Sequence, residues 1–297
     1  MRRLSAFAVT SDPPSPPPAR DAELAHHYAL CEAAVREKDR DAWLATLFAP
    51  ADRRKRLQAI HAFALEIAEI PGKVTQPLLG EMRLRWWSDA LAAAEEGASR
   101  AHPVLDALID ICDVCRLAPH EIETFLEAHI ADLYDDPMIS EAALLDYCER
   151  TAAQPLRWSA RALGAAGDAE ALTEAGTALG LLRILRRLPT GGAQFLPADL
   201  LARYDARRED AAAGMETPQL RAAIGALVGR ASQSFDRARS AARGTDEATR
   251  VALLPAATIP LYLQAMRSRD FHPFVQPREP SAWRRQWRLW RAARAGL

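Results

Sequence analysis

The chain has 297 residues, 49% hydrophobic and 26% charged, with a formal net charge of -1 and a pI near 6.7. That length can bury a sizeable core, while the balanced charge supplies no global field for nucleic acid or an anionic membrane, so nucleic acid is not expected as a partner. Four cysteines in a chain of this size do not make a disulfide scaffold and fit a reducing compartment.

The start, MRRLSAFAVT, carries too brief an apolar run for a secretory signal. No stretch approaches the ~20 apolar residues of a transmembrane helix. The expected location is cytoplasmic, or the mitochondrial matrix if the source is eukaryotic, where an Arg/Ala/Ser start reads as a transit peptide. Residues 1–20 end in SDPPSPPPAR, whose prolines predict an extended leader. From Asp21 onward the strong helix formers Ala, Leu, Arg and Glu dominate, and no two-residue alternation marks a strand. The expected fold is all-α, with one domain over 21–297.

Leu57, Ile60, Phe63, Ala64, Ile67 and Ile70 recur at three- and four-residue steps, giving a helix with one apolar stripe that Pro71 and Gly72 stop. Met82, Trp86 and Ala90 mark the next helix, and another spans about 103–116. Pro119 opens one that ends at the turn Asp135-Asp136-Pro137. Ser140 starts a long helix through Tyr147 to about Leu163. Residues 168–188 form the next, closed by Pro189 and Gly191-Gly192, and two more follow at 217–242 and 247–269. The last helix covers about 281–295.

That last helix is basic and rich in tryptophan. Trp283, Trp287 and Trp290 recur at i, i+4 and i+7, Arg284, Arg285, Arg288, Arg291 and Arg294 take the remaining face and ends, and residues 281–297 hold no acid. This is the signature of a helix lying on a membrane surface, and equally of one docking on a protein partner. The contact residues are then Trp283, Trp287, Trp290, Arg284, Arg288 and Arg291. Arg183, Arg186 and Arg187, at i, i+3 and i+4, share a helical face that can fork a phosphate without metal. Cys112 and Cys115 lack both the preceding strand of a redox motif and two further zinc ligands, so they read as half-buried helix cysteines. No phosphate-binding loop, dinucleotide fingerprint or Gly-x-Ser-x-Gly elbow is present.

Three segments in order resemble the squalene/phytoene synthase family: DAWLATLFAPADRRKRLQAIHAFALEIAEI at 41–70, LLDYCERTAAQPLRWSARALG at 144–164, and ALGLLRILRRLPTGGAQFLPADLLARY at 178–204. The resemblance covers roughly 24–270 and implies an isoprenoid-synthase helical fold with a central cavity. Members that are enzymes join two isoprenoid diphosphates head to head, and two aspartate clusters hold the Mg²⁺ that grips the leaving diphosphates. Hard Mg²⁺ takes carboxylate oxygens, so those clusters are indispensable to the chemistry.

Here the clusters are altered. The first falls at 68–72, where Ala68 and Gly72 replace the outer aspartates and only Glu69 keeps a carboxylate. The second falls at 187–191, where Arg187 reverses one charge and Gly191 removes the other. Glu66-Ile67-Ala68-Glu69 and the Leu-Arg-Trp-Trp run at 84–87 resemble the non-synthase branch, which includes a mitochondrial complex I assembly factor. That implies a non-catalytic role, without cofactor, in assembling a membrane complex such as respiratory complex I. The expected partner is a client subunit, the expected place is peripheral at the inner membrane, and the cavity is expected to be vestigial or to hold a lipid or isoprenoid. One alternative is a prenyltransferase acting on farnesyl or geranylgeranyl diphosphate, its Mg²⁺ held by Glu66, Glu69, Glu127 and Asp132. The other is a lipid or prenyl-diphosphate binding module built on Arg183, Arg186 and Arg187.

Overall fold

Caps and prolines fix most helix starts. The computed structural model describes residues 18–95, 102–167, 169–276 and 279–297, so most of the proline-rich leader lies outside the described residues. Its last three residues belong to α1 (Pro18–Lys38), not to an extended segment. Proline is tolerated in a first helical turn, where its missing N–H breaks no bond. The Asp39 carboxylate accepts from the Ala42 N–H at 3.0 Å and opens α2 (Arg40–Thr46). The Ser140, Thr217 and Asp246 side chains do the same for α7 (Glu141–Cys148), α12 (Pro218–Ala242) and α13 (Glu247–Ala252), each cap typically contributing ~1 kcal/mol.

Between these lie α3 (Ala51–Ala68), which buries Leu57, Ile60, Phe63 and Ile67 as its periodicity predicts, and a 3₁₀ turn at Pro71–Lys73. In α4 (Pro77–Glu95) the expected stripe is reversed. Met82 and Trp86 face outward, 61% and 45% exposed, while Leu84 and Trp87 are buried. α5 (Pro103–Cys115) and α6 (Pro119–Ala128) follow, and a 3₁₀ turn at His129–Asp132 closes α6. The long helix from Ser140 is continuous, but it passes through a π segment at Glu149–Ala153 between α7 and α8 (Gln154–Leu163).

α9 (Glu170–Arg187) packs against α7, α8, α12 and the π segment. Two short helices, α10 (Ala198–Arg203) and α11 (Arg208–Ala212), come next. The helix expected over 247–269 is divided into α13, a 3₁₀ turn at Leu254–Thr258 and α14 (Ile259–Met266). Pro255 and Pro260 each open a new element, because neither can donate a backbone hydrogen bond to a preceding turn. α15 (Ala282–Ala295) ends the chain's helices. Among the described residues there is no β-strand, and the all-α fold stands.

Gly176 lets α9 approach closely, since a Cβ there would overlap the Ala153 backbone. α3, α4, α6 and α8 meet through buried rings. Phe63 lies 5.2 Å from Trp87, 5.5 Å from Phe125 and 6.1 Å from Trp158, and Phe125 lies 5.2 Å from Trp158. Such pairs are worth about 0.5–1.5 kcal/mol each beyond burial.

Candidate functional site

The most buried carboxylate among the described residues, Asp132, is satisfied by its own neighbours. The 3₁₀ turn after α6 points Asp132 inward, leaving its side chain 3% exposed. His129 Nδ1 lies 2.8 Å from Oδ2, the Tyr147 hydroxyl donates to both oxygens at 2.9 and 3.0 Å, and Arg187 Nη1 donates to Oδ1 at 2.5 Å. Burial alone would raise the Asp132 carboxyl, but the hydrogen bond and charge of His129 and the charge of Arg187 hold it below its ordinary value. Burial, then the Asp132 charge, pushes the Tyr147 hydroxyl well up. A carboxylate has about four lone-pair sites, and these three donors engage both of its oxygens.

Glu69, in the segment resembling the first aspartate cluster, is neutralised in a similar way. Lys38 Nζ lies 2.6 Å from Glu69 Oε2 and Lys73 Nζ lies 2.9 Å from the same atom. Lys73 also reaches Glu66 at 3.6 Å. Slight burial works against these lysines, yet their hydrogen bonds hold the Glu69 carboxyl below its usual range. Glu127 points away to solvent, 69% exposed and 3.6 Å from Arg150. The four candidate carboxylates are therefore not brought together. Among the described residues no group of three or more His, Cys, Asp or Glu is arranged to hold a metal ion. Mg²⁺ requires several converging oxygen ligands, so these residues do not fit it.

The three α9 arginines are also divided, contrary to the shared face read from their spacing. Arg187 turns inward to Asp132, while Arg186 pairs with Glu279 and stacks over the Tyr262 ring at 4.7 Å. Arg183 is exposed and has no ion-pair partner among the described residues. Its charge reaches buried His61, whose imidazole burial pulls down to about 4, opposed by Asp39 and assisted by Arg183. After α9, Gly191 and Gly192 at φ of 124° and 101° turn the chain back. That turn brings the Phe195 ring to 5.2 Å from the Arg187 guanidinium and 5.1 Å from Tyr147.

Lys38, Lys73, His61, Tyr262 and Glu279 escaped the sequence reading. Lys73 stands four residues after Glu69, a spacing that pairs charges on a helix, but the intervening Pro71-Gly72 hid it. Lys38 and Glu279 are distant in sequence, and no local signal links them to their partners.

The last helix is turned differently from the simple Trp-versus-Arg division. Its buried face is Leu289 and Ala292, packed with Ala45, Leu254 and Ala257. Arg285 points to the body, 3.2 Å from Asp41 Oδ2, and Arg288 Nε donates to the Ala257 carbonyl at 3.1 Å. Arg288 therefore leaves the expected contact set. Trp283, Trp287 and Trp290 face outward, 68%, 53% and 38% exposed. Trp287 and Trp290 stack at 4.9 Å, and Arg294 lies over Trp290 at 4.2 Å.

A sequence model of squalene/phytoene synthase matches residues 35–291. The NADH dehydrogenase (ubiquinone) complex I, assembly factor 6 of Mus musculus is 23% identical over 257 residues, covering 84% of this chain and 77% of that protein. The phytoene synthase of Thermus thermophilus is 30% identical over 197 residues, covering 64% of this chain and 65% of that enzyme. A solved dehydrosqualene synthase in complex with ligand has a TM-score of 0.75 at 18% identity, covering 90% of this chain and 95% of that one.

Proposed function

Because the chain belongs to the squalene/phytoene synthase family, we propose that it is a non-catalytic member acting in the assembly of a membrane complex, respiratory complex I first among the candidates. One observation carries the reading. At the segment resembling the first metal cluster, Lys38 and Lys73 pair with Glu69, and at the segment resembling the second, Arg187 pairs with the buried Asp132. A diphosphate leaving group demands neutralisation by a metal that these residues do not accept. Likeness to complex I assembly factors supports the client, with peripheral placement at the membrane that holds it. Among the described residues no helix is long and apolar enough to cross a membrane. We take the helices from α1 to α15 as one domain.

The test is deletion of the gene. Complex I amount and NADH oxidation should both fall and return with the wild-type chain, and unchanged complex I overturns the reading.

A second reading, a prenyltransferase, is supported by the likeness to phytoene synthase. It requires Mg²⁺- or Mn²⁺-dependent release of diphosphate from farnesyl or geranylgeranyl diphosphate, lost in Glu69→Ala. Folded protein that releases none counts against it. A lipid or prenyl-diphosphate binding module built on Arg183, Arg186 and Arg187 is supported by Arg183, which has no ion-pair partner among the described residues, and would lose affinity in an Arg183→Glu variant.

A further inference from the structure

We infer that the outer face of α15 is a docking surface for an anionic lipid bilayer, on which the helix lies flat. This deepens the peripheral placement proposed above and rests on it. The orientation is set by the body. Leu289 and Ala292 are buried beneath the helix, and Arg285 and Arg288 are bonded to Asp41 and the Ala257 carbonyl. What remains outward is Trp283, Trp287 and Trp290, together with Arg284, Arg291 and Arg294. None of those three arginines has an ion-pair partner among the described residues.

The composition selects the occupant. Tryptophan carries an apolar body with a polar N–H and settles at the headgroup level of a bilayer. Three such rings on one face of a short helix match the depth of an interfacial helix, and Arg294 over the Trp290 ring keeps its charge beside that ring. Guanidinium forks suit lipid phosphates. No acid stands among residues 281–297 to oppose a negative surface. The chain's overall charge of -1 is therefore separated, with an unbalanced positive face concentrated at this helix. The exposed tryptophans also set it apart from a solvated basic helix, which would leave lysine or glutamine at those positions.

The test uses the full chain and sedimentation with two vesicle types, phosphatidylcholine alone and phosphatidylcholine with phosphatidylglycerol. Wild type should bind the second and release on added salt, since attraction to surface charge is screened. A triple Arg284→Glu, Arg291→Glu, Arg294→Glu variant should bind at least about a hundred-fold more weakly, taking roughly 1 kcal/mol for each basic residue at an anionic surface. A triple Trp283→Ser, Trp287→Ser, Trp290→Ser variant should also lose binding, and the wild-type tryptophan emission should shift blue with anionic vesicles. All six positions are exposed, so both variants should keep the wild-type melting temperature, which is checked. Absence of wild-type binding to anionic vesicles, or binding that survives both triple variants, overturns the inference. So does retention of an acidic protein client without vesicle binding. The assay does not involve complex I, so its failure is separable from failure of the assembly role.

Discussion

Arg187 donates to Asp132 across 2.5 Å, joining the last turn of α9 to the turn that follows α6. The sequence distance is 55 residues, and Arg187 opens the segment 187–191 whose flanks resemble those of the family's second aspartate cluster.

Removing that cation should destabilise the fold. Truncating one partner of a buried ion pair costs about 3–5 kcal/mol. The Arg187 side chain is 41% exposed, so solvent screening reduces the expectation for Arg187→Ala to about 1–3 kcal/mol. Urea denaturation of wild type and variant measures it. An unchanged midpoint would mean that His129 and Tyr147 hold Asp132 unaided.

Divalent metal should leave the wild-type melting temperature where it is. A ligand that binds only the native state raises stability by mass action, and Glu69 and Asp132 are already occupied by Lys38, Lys73 and Arg187. Thermal melts with and without Mg²⁺ or Mn²⁺ test this. A metal-dependent rise that disappears in Glu69→Ala would restore a metal site.

Stability should decline between about pH 6.5 and pH 4 through His61. Burial pulls this imidazole down from 6.5 to about 4 in the fold. The folded pKa is depressed, so over that window the unfolded chain takes up a proton that the folded chain refuses. The contribution is intact above about 6.5 and lost as pH falls to about 4, amounting to up to about 3 kcal/mol. In His61→Gln the pH dependence of the urea midpoint should be shallower by that component. Parallel profiles for the two proteins would contradict the assignment.

Gly176→Ala should destabilise the protein by about 1–3 kcal/mol or more, in line with overpacking at a site that cannot relax. The new methyl would meet the Ala153 backbone, which lies within a continuous helix and is not a flexible side-chain end. Calorimetry checks it. A neutral result would mean that α9 and the π segment can separate freely.

Much of this architecture was legible. The Leu57–Ile67 stripe, the Ser140 cap and the Trp spacing near the carboxyl end depend on local chemistry, and each forms the expected element. α4 misled because Met82 and Trp86 are as apolar as the buried Leu84 and Trp87, and the two helical faces compete for the core. α10 and α11 are too short to show periodicity. At the candidate site, the residues Ala68, Gly72, Arg187 and Gly191 could be read directly as carrying no carboxylate. Which cations would take over the remaining carboxylates could not, because Lys38, Lys73 and Arg187 reach theirs through tertiary approach. Spacing placed Arg183, Arg186 and Arg187 on one face, but it does not say that Asp132 and Glu279 would draw two of them in different directions.

The π segment at Glu149–Ala153 has a geometric consequence for both ends of its helix. A π turn holds one residue more than the α turn it replaces, which offsets the angular phase of all that follows by about 100°. Before the offset, Tyr147 points at Asp132; after it, Trp158 points at Phe63 and Phe125. One continuous helix thereby carries Tyr147 to Asp132 and Trp158 to the rings of Phe63 and Phe125.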